Sequence, residues 1–339
     1  MLKKIFTAIL LISIFYSPAF AETLPYKEFI FKPGELLSSH APAIVELPNG
    51  DLFTVWYAAT RSSPKAVLWG SRKPIGSVKW STPYIVHQAS DSSTKNPVLF
   101  LDRNKKLWLI WAEEKRVFKL VKDTIRVKTS MDFGNTWDMA RNLGKLTWFL
   151  PKNRPICLKD GAIVLPIYTD LCTSSAVAIS KDDGLTWQGP EYMFFLFGIQ
   201  PTIIQRADSS LFALMRTGMW PRLAWQAISR DGGYHWGDWK LSDVKNPGTA
   251  LEMLKLKNGH VVLVSNDAKK DRAGITIALS YDDGKTWPVR KMIQYEAGSV
   301  STYPSVLQDK NGLIHVVYSH VGRTTIAHFV TDEKWIEGK

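Results

Sequence analysis

Several polar side chains recur at one place along the chain where chemistry could be done. Asn96, Arg154, Gln200 and Tyr303 each stand immediately before a proline that opens an apolar run, and Ala41 and Ala250 hold the same place in two further copies. Alternate residues of a strand share a face. Two positions on, that face reads Ala43, Val98, Ile156, Thr202, Glu252 and Ser305. A column of polar groups is costly to bury unless paired or solvated, so it reads as the mouth of a pocket or as a ring satisfied by channel water. The chemistry on offer is nucleophilic and acid–base. A phenol, with an ordinary pKa of about 10, stays protonated at neutral pH. A neighbouring carboxylate could polarise it, and Glu252 and Tyr303 lie in consecutive copies. His40, just ahead of the first copy, could act as acid or base. Lys152 and Arg154 add positive charge at the same level.

These residues meet only if separate strands are gathered round one centre. Each copy reads as a β-hairpin, with β-branched and aromatic runs flanking a turn such as Asn49-Gly50, Asp160-Gly161, Asn258-Gly259 or Asn311-Gly312. A second pattern lies between the hairpins. It runs Ser130, Asp132, Gly134, Thr136, Trp137; then Ser180, Asp182, Gly184, Thr186, Trp187; then Ser229, Asp231, Gly233, Trp236; and Ser280, Asp282, Gly284, Thr286, Trp287. The four aspartates are spaced 50, 49 and 51 residues apart. Ser71 to Trp80 looks like a degraded fifth copy. Short Ser, Asp and Thr side chains can close a compact turn on nearby backbone, with Gly at positive φ and Trp buried against the sheet. A period of about 50 residues holding four short strands suits a propeller blade. Six hairpins therefore predict an all-β, six-bladed β-propeller, one domain over residues 22–339. The segment Tyr26 to Phe31 is available to complete the last blade and close the ring.

The Ser-x-Asp-x-Gly-x-Thr-Trp boxes are the Asp-box, or BNR, motif, and the chain resembles the sialidase superfamily. It is most similar to the bacterial predicted neuraminidases with BNR repeats, through Ser39-His40-Ala41-Pro42, Asn96-Pro97-Val98-Leu99-Phe100 and Lys152-Asn153-Arg154-Pro155. The likeness runs from about His40 to Val330 and implies a sialidase-like propeller. It speaks less strongly for activity, because Asp boxes are structural turns that also occur in non-catalytic propellers. Sialidases grip the substrate carboxylate with three arginines, whose planar forks suit that task. By resemblance Arg216, sixteen residues after Gln200, and Arg272, ahead of Ile275-Thr276-Ile277, would be two of them. The first arginine is lost, its place held by His40-Ala41-Pro42, and Gln200 stands where the family has a catalytic Glu. The family's nucleophilic Tyr falls nearest Ser301, two residues before Tyr303. The loop expected to carry the acid/base Asp, Arg61-Ser62-Ser63-Pro64-Lys65, holds no acid. Arg61, Asn96, Gln200, Arg154 and Lys152 are expected as further substrate contacts around a catalytic set of Tyr303, Glu252 and His40.

The totals narrow the partner. The chain has 339 residues and a formal charge of +12 at pH 7, which favours acidic partners: nucleic acid, anionic membrane or anionic polysaccharide. Lys3 and Lys4, the apolar run from Ile5 to Phe15 and Ala19-Phe20-Ala21 read as a secretory signal over residues 1–21. The expected product is an exported protein, periplasmic or secreted, with no membrane span after cleavage and no nucleic-acid partner. Cys157 and Cys172 are the only cysteines. A hairpin turning at Asp160-Gly161 sets Cys157 opposite about Leu165, which argues against a bridge between them. The seven scattered histidines show no ligand spacing, so neither a metal nor a cofactor is expected. Three functions stay open: a sialidase-like exo-glycosidase acting on terminal acidic, sialic-acid-type sugars of glycans, a uronate polysaccharide lyase working by β-elimination, and a non-catalytic propeller that binds acidic glycans.

Overall fold

The computed structural model describes residues 23–60, 63–117, 120–194 and 198–339. The expected signal segment and Arg61 lie outside the described residues. Six antiparallel sheets form the six blades of a β-propeller. Their inner strands are Leu37–Glu46, Ser93–Leu101, the broken pair Leu150–Pro151 and Ile156–Cys157, Gly198–Gln205, Glu252–Lys255 and Thr302–Gln308. In blade 6 the outermost strand is Tyr26–Phe29, which pairs with Thr325–Thr331 so that Tyr26 faces Val330 and Phe29 faces Ala327. The start of the chain thus fastens its end, and no blade is left with an unfinished edge. Cys157 lies opposite Ile163, and both cysteines are free thiols.

A single blade cannot bury its apolar faces alone, so the core lies between blades. Val262, Ile275 and Ile277 of blade 5 pack on Val306, Val316 and Phe329 of blade 6. Ile44, Trp56 and Ala58 of blade 1 close on Leu307, Val317 and Ile326 of blade 6, with Ile30 and Phe31 wedged alongside. Four further clusters fill the remaining gaps round the ring. Each fully buried side chain of this kind contributes about 1.5–3 kcal/mol.

The Asp boxes form the turns their composition predicts. In blade 3 the Ser180 hydroxyl donates to Asp182 and accepts the Gly184 N–H at 2.8 Å, while Asp182 takes the Thr186 backbone N–H and hydroxyl. These bonds, led by that of the Thr186 hydroxyl, hold the Asp182 carboxyl at about 2. In blade 4 His235 replaces the Thr and still donates its backbone N–H to Asp231 at 2.9 Å. Gly184 has φ +81°, and a Cβ there would meet the Trp108 ring of blade 2 at 2.2 Å. Gly259, at φ +92°, would meet nothing within 4 Å. Gly184→Ala should therefore lower the unfolding free energy, read from urea titration, by about 1–3 kcal/mol more than Gly259→Ala, since both share the backbone penalty and only the first overpacks. Equal losses would mean that the ring yields freely.

Strict alternation along the inner strands does not hold. Ala41, Asn96, Gln200 and Tyr303 have φ of 50°, 46°, 55° and 57°. In each of these strands the register with the second strand slips at that point. A β-bulge before the proline inserts one extra residue and re-aims its side chain. Residues either side of the bulge therefore do not form one continuous column.

Candidate active site

Bulges in blades 4 and 6 bring Gln200 and Tyr303 together, and Arg216, opposite Ile199 in the second strand of blade 4, joins them. The Tyr303 phenol oxygen accepts a hydrogen bond from Arg216 Nη1 at 2.7 Å and another from Gln200 Nε2 at 3.2 Å. Gln200 returns its carbonyl oxygen to Arg216 Nη1 at 3.0 Å. The two residues singled out by their sixteen-residue separation are in direct contact. Arg216 Nε is buried and makes no protein hydrogen bond. Behind this group, the Tyr168 oxygen takes the Asn96 side-chain amide at 2.9 Å and Gln200 Nε2 at 3.2 Å. Asn96 thus braces the wall rather than lining its open surface.

His40 is buried against the Tyr303 ring, centroid to centroid 4.1 Å, and its Nδ1 shares a hydrogen bond with the Ser319 hydroxyl at 2.9 Å. Burial, and then the charges of Arg323, Lys152, Arg216 and Arg272, hold its pKa well below the usual imidazole value. His40 is therefore neutral near pH 7, suited to take a proton and not to supply one. Lys152 is buried with Nζ 5.7 Å from the Tyr303 ring centre and donates to the Pro304 carbonyl. Burial drops its pKa to about 8. Arg272 donates to the carbonyls of Pro247 and Gly248 at 3.3 and 3.2 Å. Burial and the neighbouring Arg216 and Arg323 charges lower its pKa. Lys152, Arg216, Arg272 and Arg323 thus set four cationic side chains about His40, beside the Tyr303 phenol.

Glu252 does not polarise that phenol. Its Oε1 receives Arg154 Nε at 2.8 Å and its Oε2 the Val306 backbone N–H at 3.1 Å. Arg154 also donates to the Val306 carbonyl. The two groups expected at the mouth instead neutralise each other inside the channel, because a buried carboxylate needs a cation and a donor. Thr202 has the analogous role one blade back, accepting the Met253 N–H at 2.9 Å. Arg154 faces a cavity of about 380 Å³ together with Lys159, Arg206 and Lys255, at the Asp-box end of the channel. Glu252→Ala should cost about 3–5 kcal/mol, by stranding Arg154 and the Val306 N–H, whereas joint replacement of Glu252 and Arg154 by Met should cost far less. Urea unfolding of the two variants checks this; equal losses would show that the pair is not the reason.

Four contributors escaped the sequence reading. Tyr57 packs edge-on to His40 at 5.6 Å, Tyr168 and Ser319 are described above, and Arg323 acts on both His40 and Arg272. Tyr57, Tyr168, Arg216 and Ser319 lie opposite His40, Leu150, Ile199 and Thr302 in their blades' second strands. Aligning the ends of those second strands, and not only the inner ones, is the signal that finds them. Arg323, on the turn after His320, stands close to where the first family arginine is missing. Ser301 is buried and hydrogen-bonded to His320 at 2.7 Å. No group of three or more metal-ligating side chains occurs among the described residues.

Six blades with Asp boxes on one face and a cationic, phenol-bearing pocket on the other define a sialidase-like β-propeller. The chain belongs to the BNR repeat-like domain family, whose model matches residues 50–316. It is 27% identical over 213 residues to a sialidase of Micromonospora viridifaciens, a match covering 56% of this chain and 33% of that protein. The chain thus spans about a third of the length of this relative. Among solved structures, the Hadza microbial sialidase Hz136 superposes with a TM-score of 0.78 at 18% identity, over 91% of this chain and 69% of that one. An α-L-arabinanase of Penicillium chrysogenum superposes with a TM-score of 0.63 at 15% identity, over 90% and 97%.

Proposed function

We propose that the protein is a sialidase-type exo-glycosidase that removes a terminal acidic sugar, with Tyr303 at the reacting centre and the sugar carboxylate on Arg216, Arg272 and Arg323. The observation that carries this reading is the 2.7 Å bond from Arg216 to the Tyr303 oxygen inside a pocket whose nearby carboxylate, Glu252, is spoken for by Arg154. A similar fold serves a neighbour named as an arabinanase, so the choice of an acidic sugar rests on the pocket's charge and not on its architecture. A phenol is not repelled by the incoming carboxylate, and a guanidinium beside it stabilises the negative charge that develops on its oxygen. Tyr303 Oη would bond to the anomeric carbon as the glycosidic C–O bond breaks. Neutral His40 would accept the phenolic proton and pass it to the departing oxygen; water would then add to the anomeric carbon, one of its protons returning to Tyr303 Oη as the sugar leaves.

One contact favours a second reading. A neutral His40 packed on Tyr303 is also a base–acid pair for β-elimination from a uronate. His40 would take the proton next to the carboxylate, the C–O bond would break, and Tyr303 would protonate the leaving oxygen. Incubation with sialoside reporters and with uronate oligosaccharides separates the possibilities. Reporter release without a new ultraviolet chromophore supports hydrolysis. An unsaturated product means a lyase, and binding with no product leaves a lectin-like propeller. Export is part of the proposal and rests on residues 1–21 alone; detection of a chain beginning near Glu22 outside the cytoplasm tests it. No helix among the described residues is long and apolar enough to cross a membrane.

A further inference from the structure

The cavity of about 380 Å³ at the Asp-box end of the channel is lined by four cations. Arg154 and Lys159 come from blade 3, Arg206 from blade 4 and Lys255 from blade 5; among the described residues no carboxylate lines it. Two of the four are matched from behind, Arg154 by Glu252 at 2.8 Å and Lys255 by Asp283 at 2.6 Å. The other two are in no ion pair among the described residues. Lys159 Nζ donates only to the Ala207 carbonyl, at 3.1 Å. Arg206 is 7% exposed, with its guanidinium 4.1 Å from the Phe212 ring centre and its Nε donating to the Asp283 carbonyl at 3.0 Å. Its Nη groups make no hydrogen bond among the described residues. Burial lowers its pKa, although Asp208, Asp283 and Asp282, none of which lines the cavity, act against this. A buried cation with open donors is costly unless an acceptor meets it, so this wall is suited to an anion. Ile156, Ile203 and Met253 make the rest of it apolar, and the volume falls in the range of about 300–1,000 Å³ common to small-molecule sites.

We propose that this cavity binds a small organic oxyanion, a phosphate or sulfate ester carried on an apolar body. The site goes beyond the glycosidase reading and stands without it. Cations reach the space from three blades, which matches a tetrahedral head with acceptor oxygens on several sides; a planar carboxylate is satisfied by a single guanidinium fork. The apolar side chains take the body of the ester. Within the channel mouth the attraction is screened less than on an open surface. Cys157 lies on the same wall as an exposed, free thiol, so an occupant covers its sulfur.

The test follows alkylation of Cys157 by iodoacetamide, with peptide mapping to separate it from Cys172, in the presence of phenyl phosphate or phenyl sulfate. At about ten times its Kd, a bound ester should slow the reaction at Cys157 about tenfold, the fraction of cavity left empty. Cys172, in the turn after Thr169 at the other end of the blade, should react as before. Benzylamine and benzyl alcohol, which share the ring but carry no negative charge, should not protect. Arg206→Gln should weaken binding, read from the concentration needed for protection, by about tenfold to a hundredfold, the size of a charge-assisted hydrogen bond. Lys159→Gln, at an exposed position, should weaken it severalfold, and it decides the matter should Arg206→Gln not fold. Arg216→Ala, at the phenol end of the channel, should leave protection within about twofold, as expected of independent sites. Protection by one ester alone identifies the head as phosphate or as sulfate. No protection by either ester, equal protection by benzyl alcohol, protection unchanged in both Arg206→Gln and Lys159→Gln, or protection lost only in Arg216→Ala overturns the site.

Discussion

Tyr303→Phe is expected to reduce turnover of an acidic glycoside by at least about a thousandfold, in line with the loss of a nucleophile or proton donor that acts as one unit with its neighbours. The substitution removes a single oxygen. The ring remains against His40 and Lys152, so stability should change little. Arg216 Nη1 and Gln200 Nε2 lose their shared acceptor and become free for a ligand anion, so affinity for the acidic monosaccharide should hold or tighten. The measurements are kcat on a sialoside reporter and calorimetric binding of the free sugar acid. Turnover that survives in Tyr303→Phe would remove this residue from the chemistry, whichever acidic sugar is used.

Arg216→Ala should act chiefly on binding. Loss of a charge-assisted, partly desolvated contact costs about 2–5 kcal/mol, or a fall of roughly thirtyfold to several thousandfold in kcat/KM, carried largely by KM. Arg216→Lys restores the charge but not the fork, and should recover only part of the loss. Since Arg216 also holds Gln200 and Tyr303, Gln200→Ala in the same background separates the two roles. If Gln200→Ala reproduces the whole defect, Arg216 is a positioning residue and the anion site lies on Arg272 and Arg323. Salt should weaken binding in wild type more than in Arg216→Ala, because screening acts on the missing charge.

How far the sequence goes depends on the range of the interaction being read. The blades were legible because each hairpin and Asp box is closed by residues within a few positions of one another: the Ser180, Asp182, Gly184 and Thr186 bonds span at most four residues. Spacing and composition of such units survive as a repeat, and six of them imply a ring because only neighbours can bury their faces. Arg216 and Gln200 were singled out only through the family resemblance and its sixteen-residue spacing; their contact across one hairpin came from the structure.

What surrounds the phenol was decided only by the tertiary fold. Tyr303 meets Gln200 from 103 residues away and His40 from the far end of the chain, and no local pattern encodes those meetings. The bulges before the prolines broke the alternation on which the column of polar residues was drawn. Glu252 consequently went to Arg154 and left Tyr303 to Arg216. Arg323 and Arg206 were invisible in sequence because their significance comes from burial and from which charges lie across the channel or cavity. Composition, periodicity and short-range hydrogen bonding thus determined the architecture, and closure of the ring determined the chemistry it can host, since a long-range electrostatic environment exists only once distant strands share one volume.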